Sequence, residues 1–409
     1  MNHTIKLLFY ALFLVLQPLF SVGDSPAALY LTWQRDPTTS MTVQWITTLE
    51  DLSDRVYYRL LEGGPLQMME GSHIQMPGQA PYLIHRAELT SLDPNSAYVF
   101  KMSLFGSEYK FRTLPSRLDS PLRFIVGGDL YQDNLRAFAT MSRQAAKRSP
   151  AFVLFGGDLA YAADRTNFLS YLQLRTLNYT RWIEWLSACQ QELVTPDGFL
   201  IPLIVAIGNH DVEGGTGKTA ASAPMFYALF PSSELTGCYA LDIGNYLSIF
   251  LLDSGLTHPI AGTQTAWLDQ ALSERADTPH KFALYHIGAY PSARSQNQPI
   301  SCDIRAHWVP LFEKYGLSAA FENHDHAYKR THLLKGGKVD PAGVLYIGDG
   351  AWGITKPRTP RKPKSTWYLA KSQSVQHAVL VVLTSEKRHY LAIDSSGAVI
   401  DDFVQTVNE

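Results

Sequence analysis

The stretch AFVLFGGDLAY at residues 151–161 decides the fold class of this chain. Its first five residues are apolar without alternation, which is typical of a strand that is buried on both faces. Two glycines follow and permit a tight turn, and Asp158 and Tyr161 then supply oxygen-bearing side chains. A buried strand that ends in this way is typical of a ligand-binding α/β sheet.

Four other apolar runs end in side chains that could bind a ligand. LRFIV (122–126) leads to Asp129, PLIVAI (202–207) to Asn209 and His210, KFALY (281–285) to His286, and LSAAF (317–321) to His324 and His326. Because ligands of open α/β sheets bind beyond the carboxyl ends of the strands, we expect these side chains to meet at one edge. Helical patterns at 134–148 and 263–275 lie between the strands, so the sequence predicts an α/β domain of layered sheets flanked by helices.

The region before this domain has a different pattern of apolar and polar residues. In SMTVQW (40–45), apolar and polar residues alternate, and turn signals such as LDPNS (92–96) separate several short runs of this kind. This pattern predicts a small antiparallel β-sandwich. The segment TLPSRLDSP (113–121) contains two prolines and is typical of a linker. We therefore place one domain at 24–117 and a second at 118–409.

The N-terminus is typical of a secretory signal peptide, which we assign to residues 1–23. Lys6 precedes an apolar run at 7–16, and small residues follow near position 21. An uncleaved anchor is the alternative, although the run is short for a membrane span. We expect an exported protein, periplasmic or secreted, without a membrane span after signal cleavage.

Composition and cysteine usage narrow the class of protein. A hydrophobic content of 46% and a charged content of 18% indicate a folded chain, and a length of 409 residues indicates two domains. The formal net charge is −2, so the chain has no excess of positive charge to bind a phosphate backbone, which argues against nucleic acid as a structural partner. In an oxidising compartment Cys238 and Cys302 could pair, or these two and Cys189 could all stay unpaired.

Each polar feature also has an ordinary structural interpretation. An aspartate after glycine is often a turn residue or a helix cap, Tyr161 could be a packed aromatic, and His286 a satisfied buried histidine. An H-x-H pair can also arise by chance in a chain with 13 histidines. The five features nevertheless follow five strands and together contain enough donors for two metal ions, which favours a metal site.

The series G-D, G-D-x-x-Y, G-N-H-D, a lone histidine and H-x-H resembles the calcineurin-like metallophosphoesterases. The tyrosine of GDLAY narrows the resemblance to the purple acid phosphatase branch. YLTWQRDPTTSMTVQW (30–45) is similar to the fibronectin-III-like domain that precedes the enzyme in that branch. YHIGAYPS, FENHDHAYKR and YIGDGAWG are most similar to bacterial members.

The resemblance implies a binuclear metal centre made of Fe(III) and a divalent ion, which could be Zn, Mn or Fe. Carboxylate and phenolate oxygens suit the ferric ion, whereas an amide oxygen and imidazoles suit the divalent ion. The implied ligands are Asp129, Tyr161 and His326 for Fe(III), Asn209, His286 and His324 for the divalent ion, and Asp158 as a bridge.

The resemblance further implies an acid phosphatase that hydrolyses phosphate monoesters by attack of a metal-bound hydroxide. His210 would stabilise the transition state or donate a proton, or would instead orient a ligand. A phosphodiesterase or nucleotide hydrolase on the same metals is an alternative, as is a non-catalytic binding module. The expected partner is a phosphate-ester substrate, and the oligomeric state stays open.

Three positions depart from the commonest family motif. Tyr131 stands where G-D-x-G has its second glycine, and it could contact substrate or pack over the site. Asn323 replaces the glycine before the paired histidines, which we interpret as tolerance of left-handed backbone. In the loop after His286, Arg294 could contact phosphate or be a solvated loop residue.

Overall fold

The computed structural model describes residues 26–163, 168–232 and 237–407. The signal peptide expected at 1–23 lies outside the described residues. Among the described residues, no helix has both the length and the apolar character that a membrane span requires.

The N-terminal region forms two antiparallel sheets of four strands each. The first sheet has the order β1-β2-β6-β5 and contains β1 (Ala28–Thr32), β2 (Met41–Thr48), β5 (Ser72–Gln75) and β6 (Tyr82–Leu89). The second has the order β4-β3-β7-β8 and contains β3 (Arg55–Leu60), β4 (Gln67–Glu70), β7 (Ala97–Lys101) and β8 (Tyr109–Arg112). This arrangement confirms the predicted all-β domain.

Strand β2 is buried on both faces, although apolar and polar residues alternate along its sequence. Thr42 and Gln44 are fully buried, and the Gln44 side chain donates to Thr32 Oγ1 at 2.9 Å and accepts from Arg86 Nε at 3.0 Å. The second domain covers this side of the sheet: Leu229 O accepts from Tyr30 Oη at 3.1 Å, and Gln190 Oε1 accepts from Leu29 N at 2.9 Å.

Two mixed sheets form the framework of the second domain. The first has the order β11-β10-β9-β21-β22-β23 and contains β9 (Leu122–Gly127), β10 (Val153–Gly156), β11 (Leu203–Ala206), β21 (His377–Leu383), β22 (Lys387–Asp394) and β23 (Val399–Thr406). The second has the order β12-β13-β14-β15-β19-β16-β20 and contains β12 (Tyr239–Ile243), β13 (Leu247–Leu251), β14 (His280–Ile287), β15 (Ala319–Asn323), β16 (Tyr328–Thr331), β19 (Leu345–Gly348) and β20 (Leu369–Gln373). A small hairpin consists of β17 (Leu334–Lys335) and β18 (Lys338–Val339).

The two sheets pack face to face, and helices cover their outer faces. Phe124 of the first sheet contacts Phe282 and Phe321 of the second, with ring centroids 5.6 and 6.2 Å apart. The helices are α1 (Leu135–Ala146), α2 (Phe168–Glu192), α3 (Pro224–Leu229), α4 (Thr263–Glu274), α5 (Pro299–His307) and α6 (Val309–Lys314), and there are 3-10 turns at Asn209–Asp211, Ala220–Ser222 and Pro363–Ser365. Strands β10, β13, β14 and β15 are buried along their whole length, which explains their unalternated apolar runs.

Parallel pairing brings the functional strand ends together. Strands β9, β10 and β11 are parallel neighbours, as are β13, β14, β15 and β19. Their carboxyl ends lead to the five polar features identified in the sequence. The expected α/β domain of layered sheets flanked by helices is confirmed.

No disulfide joins the three cysteines, all of which lie among the described residues. Cys302 is exposed and carries a free thiol, and Cys189 is a buried free thiol. The disulfide considered between Cys238 and Cys302 is therefore absent from the structure.

We expect the free energy of unfolding to fall as the pH drops from about 6.5 to about 4, in part because of His280. Burial, with a contribution from the cationic Arg388, lowers the pKa of His280 to about 4. Arg388 Nε donates to His280 Nδ1 at 3.1 Å, so that nitrogen must stay unprotonated. Between these pH values His280 is protonated in the unfolded chain but not in the folded chain. The resulting loss in the free energy of unfolding is at most about 3 kcal/mol.

The measurement is urea unfolding of His280→Gln and of the unmodified chain at several pH values. The glutamine retains an acceptor for Arg388 but does not titrate, so its unfolding free energy should fall less steeply between pH 6.5 and 4. Equal slopes for the two proteins would contradict the assignment.

Candidate metal centre

The seven proposed ligands lie at the shared edge of the two sheets, and five of them have a left-handed backbone. The φ angles are 59° at Asp129, 54° at Asp158, 50° at Tyr161, 77° at His324 and 58° at His326. Non-glycine residues rarely adopt this region, and each instance costs about 1–3 kcal/mol. Such a concentration of unfavourable backbone is typical of a functional site, where the surrounding fold holds side chains in fixed directions.

The first group of side chains gathers around His286. Its Nε2 lies 3.0 Å from Asn209 Oδ1, 3.1 Å from His324 Nδ1 and 3.2 Å from Asp158 Oδ2. Asp158 and His286 are fully buried. The buried Asp158 Oδ2 has no hydrogen-bond partner among the described residues. Four potential metal donors therefore converge from four separate segments of the chain, with His286 near the end of strand β14.

The hydrogen bond on the other side of the His286 ring fixes the tautomer of the neutral imidazole. Nδ1 lies 2.8 Å from Gly156 O, and because a carbonyl oxygen can only accept, Nδ1 carries the hydrogen. Nε2 faces Asn209 Oδ1 and Asp158 Oδ2, neither of which has a hydrogen to donate, so either a proton on Nε2 or a bound metal ion would supply the positive charge between them. Metal-binding histidines are commonly oriented by such an outer hydrogen bond.

The second group contains Asp129, Tyr161 and His326. Asp129 Oδ1 lies 2.8 Å from His326 Nε2 and 3.2 Å from Tyr161 Oη, and Tyr161 Oη lies 3.2 Å from His326 Nε2. The other oxygen of Asp129 accepts from His324 N at 2.9 Å. Asp158 is close to both groups, since its carboxylate falls within 4.8 Å of donor atoms in each.

Electrostatics at this edge favour a cation. Burial would lower the pKa of His286, but the neighbouring Asp158 carboxylate outweighs burial and raises it to about 9. Burial would likewise raise the pKa of Asp158, yet the surrounding imidazoles, His286 first, hold it well below its usual range. Burial and the Asp129 carboxylate raise the pKa of the Tyr161 phenol. The buried carboxylates thus attract positive charge, whether a proton or a metal ion provides it.

His210 lies beside this centre and remains partly exposed, with 24% of its side chain accessible. Its Nε2 is 3.8 Å from Asp158 Oδ2, and its ring stacks on Tyr161 at a centroid distance of 4.6 Å. The backbone N–H of His210 donates to Asp158 Oδ1 at 2.8 Å. The ring is therefore close to the centre and reachable from solvent.

The two expected substrate contacts occupy different environments. Tyr131 is buried; its hydroxyl donates to Glu184 Oε2 at 2.8 Å, and the Arg181 guanidinium lies 3.8 Å from its ring centroid. Arg294 retains 29% accessibility, and its Nε lies 3.5 Å from Asp325 Oδ1. Backbone N–H groups of residues 293 and 294 donate to Asp325 Oδ2 at 2.6 and 3.0 Å.

The interpretation of Asn323 as a left-handed residue is wrong. Asn323 is the last residue of strand β15, and the left-handed conformation belongs to His324 instead. The Asn323 side chain donates to Tyr285 O at 3.0 Å and fills the space beside two glycines. A Cβ at Gly156 would lie 1.8 Å from Asn323 Nδ2, and one at Gly128 would lie 2.4 Å from Asn323 Oδ1. The asparagine therefore packs the loops together.

Asp211 is a supporting residue that the sequence interpretation did not single out. Its two carboxylate oxygens accept from Leu159 N and Gly208 N, each at 2.9 Å, and so join the loops that carry Asp158 and Asn209. Burial and the nearby Asp158 raise its pKa to about 7. The sequence signal for this role was the position of Asp211 as the last residue of the GNHD motif.

A buried ionic network beneath the site was also missed. Lys329 Nζ contacts Glu322 Oε2 and lies 3.3 Å from Asp349 Oδ1, and all three side chains are fully buried. Glu322 Oε1 also accepts from Ala289 N at 2.6 Å. This network supports the loop that follows His286. The sequence signal for this network was the position of Glu322 directly after the apolar run LSAAF and of Lys329 shortly after the H-x-H pair.

Two family models cover most of the described chain. The model described as the N-terminal domain of purple acid phosphatase matches residues 26–113, and the model described as calcineurin-like phosphoesterase matches residues 122–328. The second match by itself covers half of the 409 residues.

Relatives in plants and animals show the same likeness. The chain is 26% identical to purple acid phosphatase 18 of Arabidopsis thaliana over 74% of this chain, and it spans 66% of that protein, just under two thirds of its length. It is 23% identical to acid phosphatase type 7 of Mus musculus over 92% of this chain and 90% of that protein.

A solved structure shares the fold. The purple acid phosphatase PPD1 from yellow lupin seeds superposes with a TM-score of 0.74 at 19% identity, covering 94% of this chain and 75% of that chain. The sandwich, the paired sheets and the donor groups at their edge agree with these matches. The chain belongs to the purple acid phosphatase branch of the calcineurin-like phosphoesterases.

Proposed function

We propose that this chain is a binuclear-metal acid phosphatase that hydrolyses phosphate monoesters. The observation that carries the proposal is the convergence at His286, where Nε2 faces Asn209 Oδ1, Asp158 Oδ2 and His324 Nδ1 while Nδ1 is held by Gly156 O. Family membership supports a phosphoesterase with a metal site. The signal-peptide pattern at residues 1–23 supports export to the periplasm or beyond the cell.

The donor groups fit the binuclear centre of this family. Asp129, Tyr161 and His326 would hold Fe(III), since two of the three donors are hard anionic oxygens. Asn209, His286 and His324 would hold a divalent ion, either Zn, Mn or Fe, and Asp158 would bridge the two. Such a pair supplies Lewis acidity and an activated water for attack on phosphorus.

The remaining side chains bind and orient the ester. We assign to His210 the stabilisation of charge on the phosphoryl group or the donation of a proton to the leaving alcohol, because its Nε2 lies 3.8 Å from Asp158 and its ring is solvent-accessible. Arg294 would contact a phosphate oxygen, since its guanidinium lies in the field of Asp129 and Asp158 while remaining part-exposed. Tyr131 is a weaker substrate contact, because Glu184 accepts from its hydroxyl.

The spectrum of Tyr161→Phe tests the metal assignment. A phenolate bound to Fe(III) produces a visible charge-transfer band, so we expect the purified chain to be coloured and the variant to lose or shift the band. The matched control is Tyr131→Phe, a second buried tyrosine near the same edge whose hydroxyl bonds Glu184 instead. Metal content of all three proteins completes the measurement.

Two outcomes would overturn parts of this proposal. A metal-loaded protein without the band in either redox state would remove Fe(III) and Tyr161 from the site but leave a phosphoesterase. Failure to retain metal after reconstitution would remove the catalytic proposal altogether.

In a substrate comparison we expect 4-nitrophenyl phosphate to be preferred over bis(4-nitrophenyl) phosphate, because the monoester presents more negative charge to the metals and Arg294. A reversed preference would indicate a phosphodiesterase.

A further inference from the structure

A second cluster of metal-binding side chains lies in the N-terminal sandwich, remote in sequence from the catalytic edge. It consists of Asp54, His73 and His85, one ligand atom of each lying within 4.8 Å of the others. His85 Nδ1 lies 2.7 Å from Asp54 Oδ1, and His73 Nδ1 lies 2.8 Å from Asp54 Oδ2. These separations resemble those between donors at the catalytic edge, such as 2.8 Å from His326 Nε2 to Asp129 Oδ1.

The backbone holds the three side chains in place. His73 on β5 and His85 on β6 are directly opposite each other in the antiparallel ladder, and their ring centroids are 5.2 Å apart. Asp54 immediately precedes β3, a strand of the other sheet, and its carbonyl accepts from Gly71 N at 2.8 Å. An ion at this cluster would therefore join the two sheets of the sandwich.

The far side of the His85 ring is oriented as in metal-binding histidines. Its Nε2 lies 2.7 Å from Thr47 Oγ1, and its ring stacks on Trp45 with a centroid distance of 4.9 Å and an interplanar angle of 8°. Thr47 Oγ1 also lies 3.1 Å from Thr48 O, which can only accept, so the hydroxyl can donate there and accept from His85 Nε2–H, leaving the Nδ1 lone pair for a metal ion.

Local charge also favours a cation. The segment LEDLSD at 49–54 contains three carboxylates, and there is neither lysine nor arginine from residue 36 to residue 54. The adjacent Arg55 pairs with Glu70, its Nε lying 3.0 Å from Glu70 Oε2. Access is available, because 31% of the His73 side chain and 15% of the Asp54 side chain are exposed.

We propose that Asp54, His73 and His85 bind a single divalent ion of the zinc type. Two imidazole nitrogens and one carboxylate oxygen are a common donor set for zinc, and the exposed side leaves a fourth position for water. The ion has a structural function, since it links the strand pair β5–β6 to the start of β3 and lies in a domain without the catalytic donors. This site is additional to the binuclear centre.

Zinc content tests the site in the full chain. After loading with zinc and gel filtration in metal-free buffer, we expect His73→Ala to retain one ion per chain fewer than the unmodified protein. Asp54→Asn should lose the same ion, because asparagine keeps the shape of the aspartate but lacks its charge and has an N–H donor in place of one acceptor oxygen. The matched control is His389→Ala, which removes an imidazole 2.7 Å from the Asp402 carboxylate at another strand pair and should retain all the zinc.

The comparison is repeated in an Asp158→Asn/His324→Ala background, which removes donors only from the catalytic edge. There one zinc should remain and should disappear when His73→Ala is added, so failure of the catalytic proposal would not be confused with failure of this one. Equal zinc in the unmodified, His73→Ala and Asp54→Asn proteins would overturn the site and leave a hydrogen-bonded cluster. Zinc that washes off the unmodified protein while the catalytic ions remain would also overturn it.

Discussion

Replacing Asp158 with asparagine should lower kcat/KM for a phosphate monoester by more than about 100-fold, since loss of even an outer partner of a metal ligand typically lowers metal affinity or activity by about 10–100-fold. Asp158 has a carboxylate close to both groups of donors, and it is fully buried. Asparagine keeps an oxygen that can accept from His210 N but removes the negative charge. The loss should therefore appear in metal content as well as in rate.

Asp242→Asn is the matched control for this substitution. Asp242 on β12 forms an ion pair with Arg275 and lies outside the described catalytic donors. The control should retain its metals and its kcat/KM within about two-fold, as is usual for surface substitutions. If Asp158→Asn retained full activity together with both metals, the carboxylate could not be the bridge between them.

Replacing Lys329 with methionine should destabilise the chain by about 3–5 kcal/mol, because it removes the ammonium group that pairs with two buried acidic side chains. Lys329 contacts Glu322 and lies 3.3 Å from Asp349 Oδ1, and none of the three side chains is exposed. Burial raises the pKa of Asp349 to about 8, although the neighbouring Lys329 ammonium opposes this shift. Without the ammonium group, the acidic side chains of the network would stay buried without their cationic partner.

Urea unfolding measures this effect. The double variant Lys329→Met/Glu322→Gln should recover part of the lost stability, since it removes the uncompensated charge. Lys314→Met is the control, because Lys314 pairs with Asp269 at the surface and its side chain is 56% exposed. This control should leave the unfolding midpoint unchanged. A midpoint equally unchanged in Lys329→Met would show that the buried ion pair contributes nothing.

The sequence alone was sufficient to predict the layers and the proposed ligands. The five apolar runs, including AFVLF and KFALY, form strands of the two sheets, since a run without alternation requires burial on both faces. The side chains after them lie at one edge because parallel strands point their carboxyl ends the same way. The pattern of neighbouring residues therefore predicts the strands, and the direction of the chain predicts which edge of the sheets the side chains reach.

Contacts between distant segments could not be predicted in the same way. Strand β2 alternates in sequence yet is buried on both faces, because the second domain covers the side that carries Gln44. Asn323 was assigned a backbone role, whereas its side chain fills the space beside Gly156 and Gly128. Both results depend on which surface packs against which.

The sequence by itself determined the layered α/β framework of sheets flanked by helices, the β-rich N-terminal domain and the identity of the candidate donors. Tertiary structure alone decided the direction of His286 Nε2, the support from Asp211 and Lys329, and the meeting of Asp54 with His73 and His85. The physical reason is that periodicity and turn chemistry act over a few neighbouring residues, whereas hydrogen bonds and ion pairs join atoms that only the folded chain brings within about 3 Å.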